Sequence, residues 1–161
     1  MTTSEATTSE TTTNIDVNFQ LVRFVRRARA YALEHLAEVH PELDYNTFVI
    51  LMAVNDAPGG VRASDLVGDL YVHKSTISRA VSSLEQLGLI DRVTDPRDGR
   101  AQLLTVPKEA AERIKAFRER SQAQLGELLA DWTPEEVATF VRQLTRLNDG
   151  AEKLMAEEQS D

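Results

Sequence analysis

Residues 72–106 read VHKSTISRAVSSLEQLGLIDRVTDPRDGRAQLLTV, and the fold turns on this stretch. Its first half predicts a helix from about Lys74 to Leu87. At roughly 100° per residue, Ile77, Val81, Leu84 and Leu87 share one inward arc. Ser75, Arg79, Ser82 and Gln86 lie opposite, with Thr76, Ser78 and Ser83 on the flanks. Gly88 then stops the helix as a left-handed C-terminal residue. The second half holds two β-prone runs, Leu89–Thr94 and Ala101–Val106, around the turn DPRDGR at 95–100, which Pro96 and Gly99 mark as a hairpin. A short polar-faced helix followed by a hairpin with an arginine-loaded tip is the pattern of a winged helix.

The chemistry of the outward face suits DNA. It carries one guanidinium, several hydroxyls and no acid before Glu85. Arginine can grip guanine O6 and N7 with two hydrogen bonds, and hydroxyls bond phosphates or base edges in little space. The helix N-terminus also aims backbone N–H groups at phosphate. Taken alone, the helix fits a solvated Ser/Thr face equally well. The hairpin tips the balance, because a basic tip in a Pro/Gly turn has no folding role and can reach a narrow minor groove.

Upstream, apolar residues Leu21, Val22, Val25, Ala28, Ala32, Leu36 and Val39 recur at three- and four-residue steps, which predicts a helix from about Ile15 to Val39. Pro41 ends it. A second helix is expected over about Asp44–Asp56, with Asp44 as N-cap and Phe48, Leu51, Met52 and Val54 toward the core. A third spans about Ala63–Leu70, with Leu66, Val67 and Leu70 inward, and Tyr71 to Lys74 form the turn before the fourth. Downstream, about Pro107–Ala130 predicts a long helix. Thr133-Pro134-Glu135-Glu136 opens the last one with a Thr cap, proline at the first position and Glu136 closing a capping box. The last helix carries Val137, Phe140, Val141, Leu144, Leu147 and Leu154.

The chain has 161 residues, is 42% hydrophobic and carries a net charge of −8. That acidity argues against non-specific coating of nucleic acid, but distribution matters more than the sum. Residues 71–100 hold five Lys or Arg against four Asp or Glu, so the candidate reading head is the less acidic part of an acidic protein. Cysteine is absent, which excludes disulfides and thiolate metal sites. His35, His40 and His73 form no zinc spacing and read as surface or partly buried side chains, so neither metal nor cofactor is expected. No run is long enough to span a bilayer and no signal segment opens the chain, which predicts a cytoplasmic protein. The opening MTTSEATTSETTT has almost nothing to bury and is expected to be disordered. No Gly-rich phosphate loop, nucleophile elbow or His-Glu-x-x-His pattern is present, so the chain is read as no enzyme.

Over HKSTISRAVSSLEQLGLIDR (73–92), Asp95-Pro96-Arg97-Asp98-Gly99-Arg100 and Leu103-Leu104-Thr105, the chain resembles the MarR family of bacterial winged-helix transcription regulators. Helix order and lengths extend the likeness over residues 15–156. The resemblance implies that Lys74, Ser75, Thr76, Ser78 and Arg79 meet base edges and phosphates. It implies that Arg97 enters the minor groove, that Arg100 adds a phosphate contact and that Asp95 braces the wing. Ser82, on the same outward face, joins the DNA-binding set. Two positions depart from the family pattern. His73 stands where an acid or small polar residue usually begins the recognition helix, and Val106-Pro107-Lys108-Glu109 replaces a Gly-containing turn.

The resulting expectation is a mainly α fold with a small β-hairpin wing: a winged helix–turn–helix of six helices, dimeric through the first and last two. Residues 1–13 form a disordered tail, 14–40 an N-terminal dimerisation helix, 41–106 the DNA-binding domain and 107–158 the C-terminal dimerisation helices. The partner is double-stranded DNA with a pseudo-palindromic operator. The resemblance further implies a repressor released by a small, often aromatic and anionic, effector held between the first, second and fifth helices. Tyr31, His35 and Tyr45 could serve that pocket, although amphipathic side chains at the rim of a helical core explain any single one as well. The alternative is a winged-helix adaptor that binds a protein partner instead of DNA.

Overall fold

The computed structural model describes residues 3–158, with side chains from Asp16 to Glu157. Six helices and one hairpin follow in the order α1 (Thr3–Val39), α2 (Tyr45–Asn55), α3 (Ala63–Asp69), α4 (Lys74–Gln86), β1 (Asp91–Asp95), β2 (Asp98–Thr105), α5 (Lys108–Leu128) and α6 (Pro134–Glu158). The chain divides into two compact units inside α5, one ending at Phe117 and the other beginning at Arg118.

The core of the first unit is built where the apolar periodicity placed it. Leu51, Leu66, Ile77, Leu84, Leu89, Ile90, Leu104 and Ile114 are all but inaccessible to solvent, and Val39, Val54 and Val81 join them. α2 starts where Asp44 caps it, its carboxylate accepting from the N–H groups of Asn46 (2.9 Å) and Thr47 (3.0 Å). α4 ends as the glycine predicts. Gly88 takes φ +66°, its N–H reaches Glu85 O (3.0 Å), and Leu89 N–H reaches Leu84 O (2.9 Å), with both leucines fully buried. In the second unit the expected capping box closes. Thr133 N–H donates to Glu136 Oε2 (2.8 Å) and Glu136 N–H to Thr133 Oγ1 (3.3 Å).

Three features differ from expectation. α1 starts at Thr3 and not near Ile15, running through the tract expected to be disordered; residues 1 and 2 of that tract lie outside the described residues. No proline or glycine precedes Pro41, so nothing in the backbone chemistry stops the helix there. The wing also differs. β2 begins at Asp98, within the segment expected to be loop, so only Pro96 and Arg97 separate the strands. The register breaks between Thr94, paired with Gln102, and Asp95, paired with Asp98, and this irregularity takes up the extra residues of β2. Leu89 and Ile90 lie in the core before β1 and not in it.

The third difference is in α1. Ala32, Leu36 and Val39 are buried, but Leu21, Val22, Val25 and Ala28 on the preceding turns are exposed. In the second unit no described residue after Phe117 is buried, and Phe140, Val141, Leu144, Leu147 and Leu154 stand open to solvent.

Candidate nucleic-acid interface

α4 owes its position to Ile77, Ala80, Val81 and Leu84, which seat it on α2 and α3. The opposite face presents Lys74, Ser75, Ser78, Arg79 and Ser82 to solvent, with Thr76 half-buried at the edge. Two of these side chains rest on the helix itself: Arg79 Nε donates to Ser75 O (3.3 Å) and Ser82 Oγ to Ser78 O (3.0 Å). His73 is the N-cap, and its side chain makes no capping bond. Its carbonyl accepts from Thr76 N–H (2.8 Å) and Ile77 N–H (3.2 Å), which leaves the amides of Lys74 and Ser75 without a side-chain cap.

The charges next to this face are sorted into pairs and free cations. Arg92, on β1, grips Glu85 near the end of α4 through Nε–Oε1 (2.6 Å) and an Nη2–Oε2 bond (3.1 Å). The pair cancels the one acid of α4 and ties helix to wing. Arg92 therefore leaves the pool of cations that could meet phosphate. Arg97 and Arg100 stay exposed, without an ion-pair partner among the described residues.

Asp95 is the buried acid of the wing, 5% exposed. Its two oxygens do different work. Oδ2 accepts from Arg62 Nε (3.1 Å) and Nη2 (2.6 Å), and Oδ1 accepts from the N–H of Arg97 (2.8 Å), closing the two-residue turn. The Arg62 guanidinium, helped by the amide of Arg97, holds the Asp95 carboxyl below its usual range, and Asp95 in turn raises Arg62. Arg62 also lies 3.7 Å from Asp98. One cation thus offsets two acids at the base of the tip that carries Arg97 and Arg100.

Arg62 is the member of this cluster that the sequence did not point to. It caps α3 at a separation of 33 residues from Asp95, and no local pattern announces the pair. The approach depends on Val61, whose N–H donates to Leu104 O (3.1 Å) while its own carbonyl accepts from Leu104 N–H (2.8 Å). It depends also on Gly60, at φ +97°, where an added Cβ would meet Leu104 O at 2.9 Å.

A separate aromatic cluster joins α1, α2 and α5 within the first unit. Tyr31 stacks on His35 (4.2 Å between centroids) and tilts against Phe117 (6.3 Å), which meets Phe48 edge-on (5.0 Å). His35 Nδ1 lies 2.9 Å from Tyr31 O, and Arg29 sits 5.0 Å over the ring of Tyr45. Tyr31 Oη and Arg113 Nε are buried with no hydrogen-bond partner among the described residues. Among the described residues no group of His, Asp or Glu is placed to hold a metal ion, and no helix is long and apolar enough to cross a membrane.

The family model described as MarR family matches residues 42–101, the stretch from α2 to the tip of the wing. Over 132 residues, 82% of this chain and 90% of the relative, the chain is 28% identical to the HTH-type transcriptional regulator YxaD of Bacillus subtilis. The crystal structure of MarR superposes with a TM-score of 0.66 at 25% identity, over 85% of this chain and 98% of that one. Over residues 42–101 the chain is thus similar to the MarR family. FabT of Streptococcus pneumoniae, solved in complex with DNA, shares the MarR fold at a TM-score of 0.73 and 20% identity, covering 88% of this chain and 99% of that one. A winged helix–turn–helix with six helices and a two-stranded antiparallel wing, the fold these structures share, is therefore the architecture of this chain.

Proposed function

We propose that this protein is a sequence-specific DNA-binding transcription regulator, with α4 entering the major groove and Arg97 the adjacent minor groove. The observation that carries this reading is the sorting of charge around α4. Glu85, Asp95 and Asp98 are matched by Arg92 and Arg62, which leaves Lys74, Arg79, Arg97 and Arg100 exposed as uncompensated cations. Arg79 and the hydroxyls of Ser75, Thr76, Ser78 and Ser82 read base edges or phosphate, Arg100 adds a phosphate contact, and Asp95 braces the wing. The HTH-type transcriptional regulators among the relatives and the DNA complex of FabT favour the same assignment, and a non-enzymatic one.

The exposed apolar positions of α1 and α6 favour a homodimer, and its two-fold axis favours a pseudo-palindromic operator. Tyr31 Oη and Arg113 Nε, the latter one turn before Phe117, are buried donors that an anionic aromatic effector would satisfy. Such an effector would release DNA and make the protein a repressor. A winged-helix adaptor that binds protein is the competing reading, supported by the overall acidity. Salt separates the two. Neutralising several phosphates makes log affinity fall linearly with log salt at about 0.9 per phosphate, so a slope of magnitude 4 or more is expected. A slope near zero, or no duplex binding at any salt, favours the adaptor.

A further inference from the structure

Tyr71 is the only non-glycine described residue with a positive φ, +52°. It follows the C-cap of α3, Leu70, and its N–H reaches back to Gly68 O (3.3 Å). Gly88 holds the same place after α4, at φ +66°. The fold therefore asks for a left-handed residue at both helix ends and receives glycine at one and tyrosine at the other. A bulky side chain in that region carries strain that glycine would avoid.

Packing does not repay the strain. Tyr71 is 45% exposed, stands outside the hydrophobic core and its satellites, and meets no other ring or cation among the described residues. What distinguishes the site is its place. Tyr71 lies three residues before Lys74, the first residue of α4, in the turn of the helix–turn–helix. When such a helix enters the major groove by its N-terminal end, this turn passes over the phosphates that border the groove. A phenol there offers one strong O–H donor without adding charge.

We infer that Tyr71 is a DNA-backbone contact of the helix–turn–helix, retained at a cost in stability because its hydroxyl bonds a phosphate oxygen beside α4. The inference rests on the DNA-binding reading above. Tyr71→Phe keeps the ring and its conformation and removes the donor. It should leave Tm within about 1 °C and weaken binding about fivefold, the worth of one hydrogen bond. A backbone contact requires equal loss on the operator and on a scrambled duplex of the same composition, with the salt slope unchanged. Tyr71→Gly should raise Tm by about 2–4 °C, net of the freedom it gives the unfolded chain, and weaken binding at least as much.

Both variants are compared with the wild type and Arg79→Ala in the full-length chain, by fluorescence anisotropy and thermal melting. Wild-type affinity in Tyr71→Phe, loss confined to the operator, or a lowered Tm in Tyr71→Gly each overturns the inference while leaving the regulator intact. If neither the wild type nor Arg79→Ala binds either duplex, the DNA-binding reading falls and takes this contact with it.

Discussion

Arg79 and Arg97 differ in what surrounds them, and so in what their loss should do. Arg79 sits mid-face on α4, its Nε resting on Ser75 O, and in the proposed DNA contact it would give up only that one long bond. Arg79→Ala should cost about 1–3 kcal/mol of operator binding and relax specificity at one base pair, read from affinities on a panel of single-base operator variants. Equal loss across the panel would make Arg79 a phosphate contact. Arg97 owes its position to Asp95, which holds the Arg97 amide with one oxygen and Arg62 with the other. Arg62→Met should therefore weaken DNA binding through Arg97, and Arg62→Met and Arg97→Ala should be non-additive by about 0.5–3 kcal/mol in a double-mutant cycle. Additive effects would mean that Arg62 acts on its own.

The elements show where sequence carries structural information and where it stops. α4 and its end were legible because both causes are local: a 3.6-residue apolar repeat and a glycine at the left-handed position. The capping box of α6 was legible for the same reason, and Thr133→Ala should cost about 1 kcal/mol, seen as a lowered Tm. Arg92→Ala should cost about 0.2–1 kcal/mol, because the Glu85 pair is more than one-third exposed on the Arg92 side. The start of β2 was not legible, since register depends on which residues face each other across the hairpin and not on either strand alone. The Arg62–Asp95 bond lay out of reach for a related reason: it exists only once Val61 pairs with Leu104. The family resemblance marked Asp95 as a brace, but the sequence carried no sign of what it braces against. In α1 the periodicity was correct, yet the first unit uses only its last turns, because the preceding apolar turns extend beyond that core.

At the scale of the molecule, the unburied face of α6 and the open turns of α1 are more apolar surface than a lone chain of this size is expected to leave in water. The proposed homodimer would cover it, and light scattering should then return about twice the 18.0 kDa chain mass. A monomer mass at micromolar concentration would contradict the dimer. Acid should weaken the fold in a defined direction. Asp44, Asp95 and Glu136 all have carboxyls held below their usual range, Asp44 chiefly by Thr47, Asp95 by Arg62 and Glu136 by Thr133. Their stabilisation is complete above the unfolded-state value, about 4, and is lost as pH falls from there through the lower folded-state values. Tm should therefore be level from neutral pH down to about 5 and drop below it, with a shallower drop in Asp95→Asn.

The central claim is that α4 and the wing read a DNA sequence. Its most direct test is to sequence the genomic fragments that the purified full-length protein retains at physiological salt, in parallel with Arg79→Ala. An enriched pseudo-palindrome with half-sites about 10 base pairs apart, lost in the variant, is the predicted result. No enriched sequence from the wild type, with retention no greater than that of Arg79→Ala, would contradict it.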